Sequence, residues 1–587
     1  MRQYPFLHVN RYALVAIACL SFCHASLVAA DPAAPTQHLV QQQLAAGEFG
    51  PAITAARGVE DPALRDKLLS EIAAAQGAAG APKAALATAA DINSDLARKA
   101  MLSSMAAQSG PGSNSGSGSK RGARGGAAMA DFTSLIELIT TTLKPDSWDD
   151  VGGPGAIDEF RGGVYVDTAG LMSKLPPRTD ASLVAVRRAG LDVTQTGDPR
   201  RAAPLRKVSL TRLEREAQLL QAQGRAPTEA MQTLAGLQRI QYILVYPATG
   251  DIVIAGPAGD WRRNVEGRFI NPATSAPVLQ LDDLVVTLRN AYSDLGRFGC
   301  SITPRQGNLA AAKAVNEKWS LRPLKTGERE KWLGEFRAAL GRQDIEMYGI
   351  DRRTHAGRVL IEADYRMKLV GTGLEEGVPG VASYLSTIQL DKNGNPPPMN
   401  VLRWWFTLNY DAVAATESRD AFELRGPGVK VLSENELLTE KGERVHTGDS
   451  DELTKRFAQS FTQHFDELSV KYPIYAELRN VFDLSLVAAV IHSHDLPGQV
   501  GWHLTHFGAD GDYRPVLANA PTEVESVLNR RIIGGKHVVT IVSGGVRAEP
   551  RGLTQREAIK TDDSGAIPGQ RQASTPQNLP RNAWWWD

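Results

Sequence analysis

A stretch of 22 residues, 109–130, sets the first limit on how this chain can fold. It holds seven Gly, five Ser and no acid, and Lys120, Arg121 and Arg124 give it three positive charges. Such a composition buries too little apolar surface to offset the entropy of ordering it. The stretch reads as a solvated tether, and the sequence on either side is read separately. The chain has 587 residues, 42% of them hydrophobic, so both flanks have material for a core. Its length alone allows about four domains at roughly 150 residues each.

Ahead of the tether lies an internal repeat. The segment "AGEFGPAITAARGVEDPALRDKLLSEIAAA" returns 33 residues later as "AGAPKAALATAADINSDLARKAMLSSMAAQ", so that Gly47 matches Gly80, Ala52 matches Ala85, Arg65 matches Arg98 and Ser70 matches Ser103. Two helices per unit at this period is the size of a tetratricopeptide-like repeat. A plain helical bundle over 31–108 is the alternative reading. Two units are fewer than the three or so that stand alone, so the pair is expected to need a docking surface.

The first 30 residues read as an export signal. Arg2 and Arg11 precede an apolar run over 12–22, and small residues surround a cleavage point after Ala30. That run is too short for a stable membrane anchor, and no other run in the sequence suggests a span. Cys19 and Cys23 fall inside the signal, which leaves Cys300 as the one cysteine of the remaining chain and no internal disulfide. Without residues 1–30 the chain carries 63 basic against 65 acidic residues, which argues against a polybasic nucleic-acid binder. The expected location is periplasmic or extracellular.

Beyond the tether, Leu135, Leu138, Ile139 and Leu143 fall at helical spacing, and "GVYVD" at 163–167 reads as a strand. A helix is expected over 210–223, with Thr211 and Glu214 at capping-box spacing. Residues 240–246 and 251–256 form the clearest hairpin, around the turn "PATG". Over 359–370 apolar and charged residues alternate strictly, which predicts a strand with Glu362, Asp364, Arg366 and Lys368 on a solvated face. Residues 403–413 read as a further strand and "AFELRGPGVKVL" as a hairpin. Leu453, Phe457, Phe461, Phe465 and Leu468 make one helical stripe, and 475–491 is apolar nearly all round, hence buried. The last strands are expected to meet at Gly534-Gly535. Residues 548–587 are polar and Pro-rich until Trp584, Trp585 and Trp586, and read as a disordered tail. Strands and helices come in blocks, which predicts an α+β fold: a helical repeat pair, then a mostly antiparallel α+β core.

The chemistry is sparse. His492, His494, His503 and His506 crowd into "HSHDLPGQVGWHLTH" and are the metal candidates. Spacing argues against them: positions i and i+2 at a helix end diverge, and His503 and His506 point to opposite faces if on a strand. Cys300 is a candidate nucleophile with no base beside it in sequence, and His503 is the other catalytic candidate. Ser543 in "VSGGV" lacks the nucleophile-elbow spacing. "GTGLEEG" from Gly371 follows the expected strand with one residue too many for a dinucleotide loop. Asp391, Asn393 and Asn395 open like a calcium loop, but Pro396 stands where Gly is required and Leu402 where Glu is. No bound metal and no cofactor are expected.

Taken together, "GLQRIQYILVYPATGDIVIAGPAGDW", "LQLDDLVVTLR", "GCSITP", "VLIEADYRMKLVGTGLE", "YPIYAELRNVFDLSLVAAVI" and "RRIIGGKHVVTIVSGGVR" resemble a secreted bacterial family catalogued as domain of unknown function 1598, from about Leu205 to Arg547. "DFTSLIELITTTLKPDSWDDVGGPGAIDEFRGG" resembles a short module found ahead of secretin-type domains. These resemblances imply a domain order of signal 1–30, helical repeats 31–108, linker 109–130, secretin-like module 131–175, α+β core 176–547 and tail 548–587. They imply no activity for any residue. The function expected is that of an exported, non-enzymatic protein working through contacts with a protein partner at the cell envelope. The alternative is an extracytoplasmic hydrolase of peptide or glycan using Cys300 or the histidine cluster.

Overall fold

The computed structural model describes residues 34–108 apart from 46–48 and 80, the strands 156–160 and 163–167, and 197–587 apart from 321–324, 326, 394–400, 439–443, 534–535, 578 and 581. The chain divides into two compact units, Met1–Gln108 with Gln195–Asp587, and Ser109–Thr194. Of the second unit the structure describes one antiparallel hairpin, β1 (Ala156–Phe160) and β2 (Gly163–Asp167), the latter at the strand expected there. The signal, the linker and the helix expected after it lie outside the described residues.

The first unit opens with a helical array: α1 (Ala34–Ala45), α2 (Phe49–Arg57), α3 (Pro62–Ala78), α4 (Pro82–Ala89) and α5 (Asp95–Gln108). Helices α4 and α5 begin 33 residues after α2 and α3. Residues at matched positions, Ala52 with Ala85, Ala56 with Ala89, Leu68 with Met101 and Leu69 with Leu102, are all buried in the array's own core. Pro62 opens α3 behind an Asp61 cap, where its missing N–H costs nothing. Asp66, buried in α3, accepts the backbone N–H groups of Asn93 and Ser94 at 3.1 and 2.6 Å and fixes the turn into α5.

The array is not a separate module on a tether; it packs on the α+β body. Helix α6 (Leu210–Ala222) buries Leu219 in the array's core. Arg98, fully buried, donates from Nε to Gln218 at 3.0 Å and pairs with Asp95 at 2.5 Å. Asp95 also accepts the backbone N–H of His503, and Lys99 donates to the Thr505 carbonyl at 3.0 Å. The α6 cap differs from expectation as well. Ser209 is the capping residue, bonded to the N–H of Arg212, while Glu214 turns inward.

The body continues with α7 (Glu229–Gln232), β3 (Ala203–Ser209) having preceded α6, then β4 (Tyr242–Tyr246), β5 (Asp251–Ala258), β6 (Arg262–Arg263), β7 (Phe269–Ile270), α8 (Leu281–Ala291), β8 (Phe298–Pro304), α9 (Gln306–Ser320), α10 (Glu328–Leu340), β9 (Arg342–Tyr348) and α11 (His355–Thr372). Next come α12 (Tyr384–Thr387), β10 (Val401–Asn409), β11 (Ala412–Ala415), β12 (Ala421–Arg425), β13 (Gly428–Leu438), β14 (Arg444–His446), α13 (Glu452–Gln463), α14 (Phe465–Lys471) and α15 (Pro473–Ser493). The chain closes with α16 (Leu496–Val500), β15 (Glu523–Glu525), β16 (Leu528–Ile533), β17 (Lys536–Ala548), β18 (Ile559–Thr561), α17 (Ala566–Ala573) and β19 (Trp585–Trp586). Among the described residues, one sheet runs β14-β13-β10-β17-β8-β9-β15 with β16 paired to β17; a second runs β18-β11-β12-β4-β5-β3-β19. Pairing is antiparallel except between β10 and β17 and between β11 and β18, so the fold is α+β with a mostly antiparallel core.

The β4–β5 hairpin has the expected register, Tyr246 opposite Asp251, and Ile533 pairs with Lys536, while Gly534-Gly535 lie outside the described residues. Three expectations are corrected. Residues 359–370 are helical, inside α11, capped by the Thr354 hydroxyl on the Gly357 N–H and closed by Gly373 at φ +76°. The alternating charges there are not a solvated face: Asp364 and Lys368 are one helical turn apart, fully buried, and paired at 2.8 Å. The segment read as a hairpin around Gly426-Pro427 instead carries the chain from one sheet to the other, β12 pairing with β4 and β11, and β13 with β10. Gly426 permits that crossing at φ +126°, where a Cβ would lie 2.7 Å from the Asp411 nitrogen. The C-terminal tail is ordered. Trp585 pairs with Val208, Trp584 and Trp585 are buried, and Asp587 pairs with the buried Arg206 at 2.7 Å.

Candidate functional site

Strand alternation gives the larger sheet two faces. Trp404 and Phe406 point into the core beneath α11 and α13, so closely that a Cβ on Gly371 would lie 2.3 Å from the Trp404 ring. The intervening residues Val401, Arg403 and Trp405 share the other face. At one end Val401 is covered by α9 and α10 through Leu309, Phe336 and Leu340. Beyond those helices the face is open and forms a groove of about 350 Å³ between Tyr348, Ser301, Trp405, Arg403, Glu434 and His446. Glycines make its floor. A Cβ on Gly545 would meet the Cys300 carbonyl at 2.0 Å, and one on Gly544 would meet the Trp404 carbonyl at 2.3 Å.

At the groove's edge, β13 places Glu434 and Glu436 on one face, and Glu436 stands opposite His446 of β14. Glu434 Oε1 accepts the Gly448 N–H at 2.9 Å, and its Oε2 faces Arg403 at 3.1 Å and His446 Nδ1 at 3.3 Å. Burial alone would raise the Glu434 pKa, but the Gly448 N–H, Arg403 and His446 outweigh it and hold the carboxyl below its usual range. Glu436 is fully buried; Oε2 accepts from the Ser543 hydroxyl at 3.2 Å and Oε1 lies 3.3 Å from His446 Nδ1. Arg403 also stacks over Trp405 at 4.9 Å. This set was not singled out in the sequence. The signal was there: two acids at alternate positions of one strand, Glu434 and Glu436.

The structure places the sequence candidates as follows. Cys300 is buried in β8; burial, and then the nearby Asp364, push its thiol up and disfavour the thiolate. Ser543 is buried and serves Glu436, with no role as an exposed nucleophile. The four histidines are not brought together. His492 sits edge-on to Tyr292 at 4.8 Å, and His494 lies over Phe422 at 5.0 Å. His503 lies in irregular chain and His506 in a turn, neither on a strand. The His503 backbone N–H reaches Asp95, and the buried His506 ring lies among Phe507 and Tyr513, its pKa lowered by burial to about 4. Asp391 accepts the Asn393 N–H at 2.9 Å in a simple turn, and Asn395 lies outside the described residues. "GTGLEEG" ends a helix and does not follow a strand.

Buried charges elsewhere hold elements together. His355 donates to Asp283 at 2.8 Å and faces Glu477 at 3.7 Å; burial pulls its pKa down, but the two carboxylates outweigh that and leave it at about 10. Lys368 donates to the Ile302 carbonyl at 3.0 Å, tying α11 to β8. Glu214 accepts the backbone N–H groups of His506 and Phe507 at 2.8 and 2.6 Å and the Trp502 indole N–H. Each is fixed on structural partners. Among the described residues, no helix is long and apolar enough to cross a membrane.

Residues 300–384, from β8 through α11 to α12, match the model of a family described as protein of unknown function, DUF1598. That stretch includes Cys300, Tyr348, His355, Asp364 and Lys368. No curated protein and no solved structure matches the chain.

Proposed function

We propose that this chain is exported and acts by holding a protein partner at the cell envelope, with the helical array as its docking platform. The observation that carries this is the array's construction. Helices α1–α5 enclose their own apolar core, reach the body through α5 and Leu219, and leave Leu39 and Leu96 44% and 56% exposed. The body buries its sheets under α8, α11, α13 and α15, so the array adds surface more than core. The export reading of residues 1–30, the Gly/Ser linker and the secretin-like resemblance of 131–175 support the envelope setting, and the quoted segments support kinship beyond the matched stretch. Affinity capture from envelope extract with the chain lacking 1–30 should recover one stoichiometric partner, absent when the bait carries Leu39→Asp and Leu96→Asp. Equal recovery by both baits would refute the platform.

A second reading is favoured by one observation. Two carboxylates and an imidazole meet beside the groove, so an extracytoplasmic hydrolase of peptide or glycan would have its centre there and not at Cys300 or the histidine cluster. Turnover of a peptide or glycan library, abolished in Glu434→Gln, would establish it; no turnover would dismiss it.

A further inference from the structure

We propose that Glu434, Glu436 and His446 bind one divalent cation of the zinc type at the edge of the groove. The site is independent of the array reading, since no array residue takes part. Its ligand atoms come from three residues on two paired strands and lie within 4.8 Å of one another. That spacing suits a cation about 2.0–2.2 Å from each. Each carboxylate has one oxygen held from outside the set, by the Gly448 N–H at 2.9 Å and the Ser543 hydroxyl at 3.2 Å. The other two oxygens, Glu434 Oε2 and Glu436 Oε1, each lie 3.3 Å from His446 Nδ1. Outer donors of this kind orient ligands and fix which oxygen faces the metal.

Charge points the same way. Glu436 is fully buried and Glu434 nearly so, and a carboxylate out of water requires a positive neighbour. Arg403 supplies one charge to two acids, 3.1 Å from Glu434 and 3.8 Å from Glu436. A divalent cation would add positive charge between the two acids, with the guanidinium displaced over Trp405. One imidazole with two carboxylates suits zinc or manganese better than calcium, which prefers all-oxygen sets. The His446 side chain is 60% exposed, so the remaining coordination positions open on the groove, where a water or a ligand oxygen can enter.

The test is zinc titration of the chelator-stripped full-length chain by calorimetry, with metal content measured after dialysis. One zinc per chain is expected, with binding weakened at least tenfold in His446→Ala, a substitution of an exposed side chain that spares the fold. Glu434→Gln should weaken it similarly, and Arg403→Gln, which removes the competing cation, should tighten it. Absence of retained zinc overturns the proposal. So does zinc binding that His446→Ala and Glu434→Gln leave within twofold of wild type, which would place the metal elsewhere.

Discussion

The helical array and the α+β body are held together in different ways. The array has an apolar core of its own, in which Ala52, Ala56, Leu68 and Leu69 are matched 33 residues later by Ala85, Ala89, Met101 and Leu102. The body also ties distant segments with buried charges: Lys368 of α11 to the Ile302 carbonyl of β8, His355 of α11 to Asp283 of α8 and Glu477 of α15, and Arg206 of β3 to Asp587. A repeat needs only its neighbour, so its outer surface is free to vary and to bind. A body closed by charges from far apart in sequence has little freedom to move. On the reading proposed above, that difference would leave recognition to the array.

The sharpest way to break the contrast is to remove a buried charge from the body. Lys368→Met leaves Asp364 uncompensated and should cost about 3–5 kcal/mol in denaturant unfolding. Adding Asp364→Leu should restore most of that loss. If the single substitution is silent, the ion pair is not what closes α11 on β8. Next is the C-terminus. Trp585→Ala should cost about 3 kcal/mol, because it empties a buried site against β3 and removes the surface under Arg206. A melting midpoint unchanged by that substitution would mean the terminal strand is not part of the body.

The third test uses pH. Folding raises the His355 pKa from 6.5 to about 10, so its stabilisation is whole below pH 6.5 and is lost as pH climbs through about 10. Over that window the stability difference between wild type and His355→Gln should shrink steadily as pH rises. A constant difference would show that His355 is not charged in the folded state. At the junction, Arg98→Met removes the link to Gln218 and should cost about 1 kcal/mol. It should also let the array melt before the body, as a separate transition in calorimetry; a single unshifted transition would show that Leu219, Asp95 and Lys99 hold the junction without Arg98.

How much of this was legible in the sequence follows the same division. The β4–β5 hairpin and the buried helix α15 each rest on local periodicity, and each stands where the pattern put it. Periodicity failed in α11. Apolar and charged residues alternate there because the helix is buried on most sides and two of its charges face inward as a pair, while the evidence for a helix, Thr354 and Gly373, stood at its ends. The hairpin around Gly426 failed because turn chemistry says where a chain reverses but not which sheet receives it. The polar tail hid its order because three tryptophans at its end decide it. Glu434, Glu436 and His446 went unread since their meeting depends on the pairing of β13 with β14, whereas the histidines at 492–506 drew notice by proximity in sequence and are kept apart in space.

The measurement that goes most directly to the division of labour is partner capture by three baits of equal stability. These are the wild-type chain, the array variant Leu39→Asp/Leu96→Asp, and the groove variant Glu434→Gln/His446→Ala. Both array positions are exposed, so neither substitution should move the melting midpoint. The account predicts that the array variant loses the partner while the groove variant retains it at the wild-type ratio. Capture that survives in the array variant and is lost in the groove variant would contradict it and move recognition to the open face of the sheet.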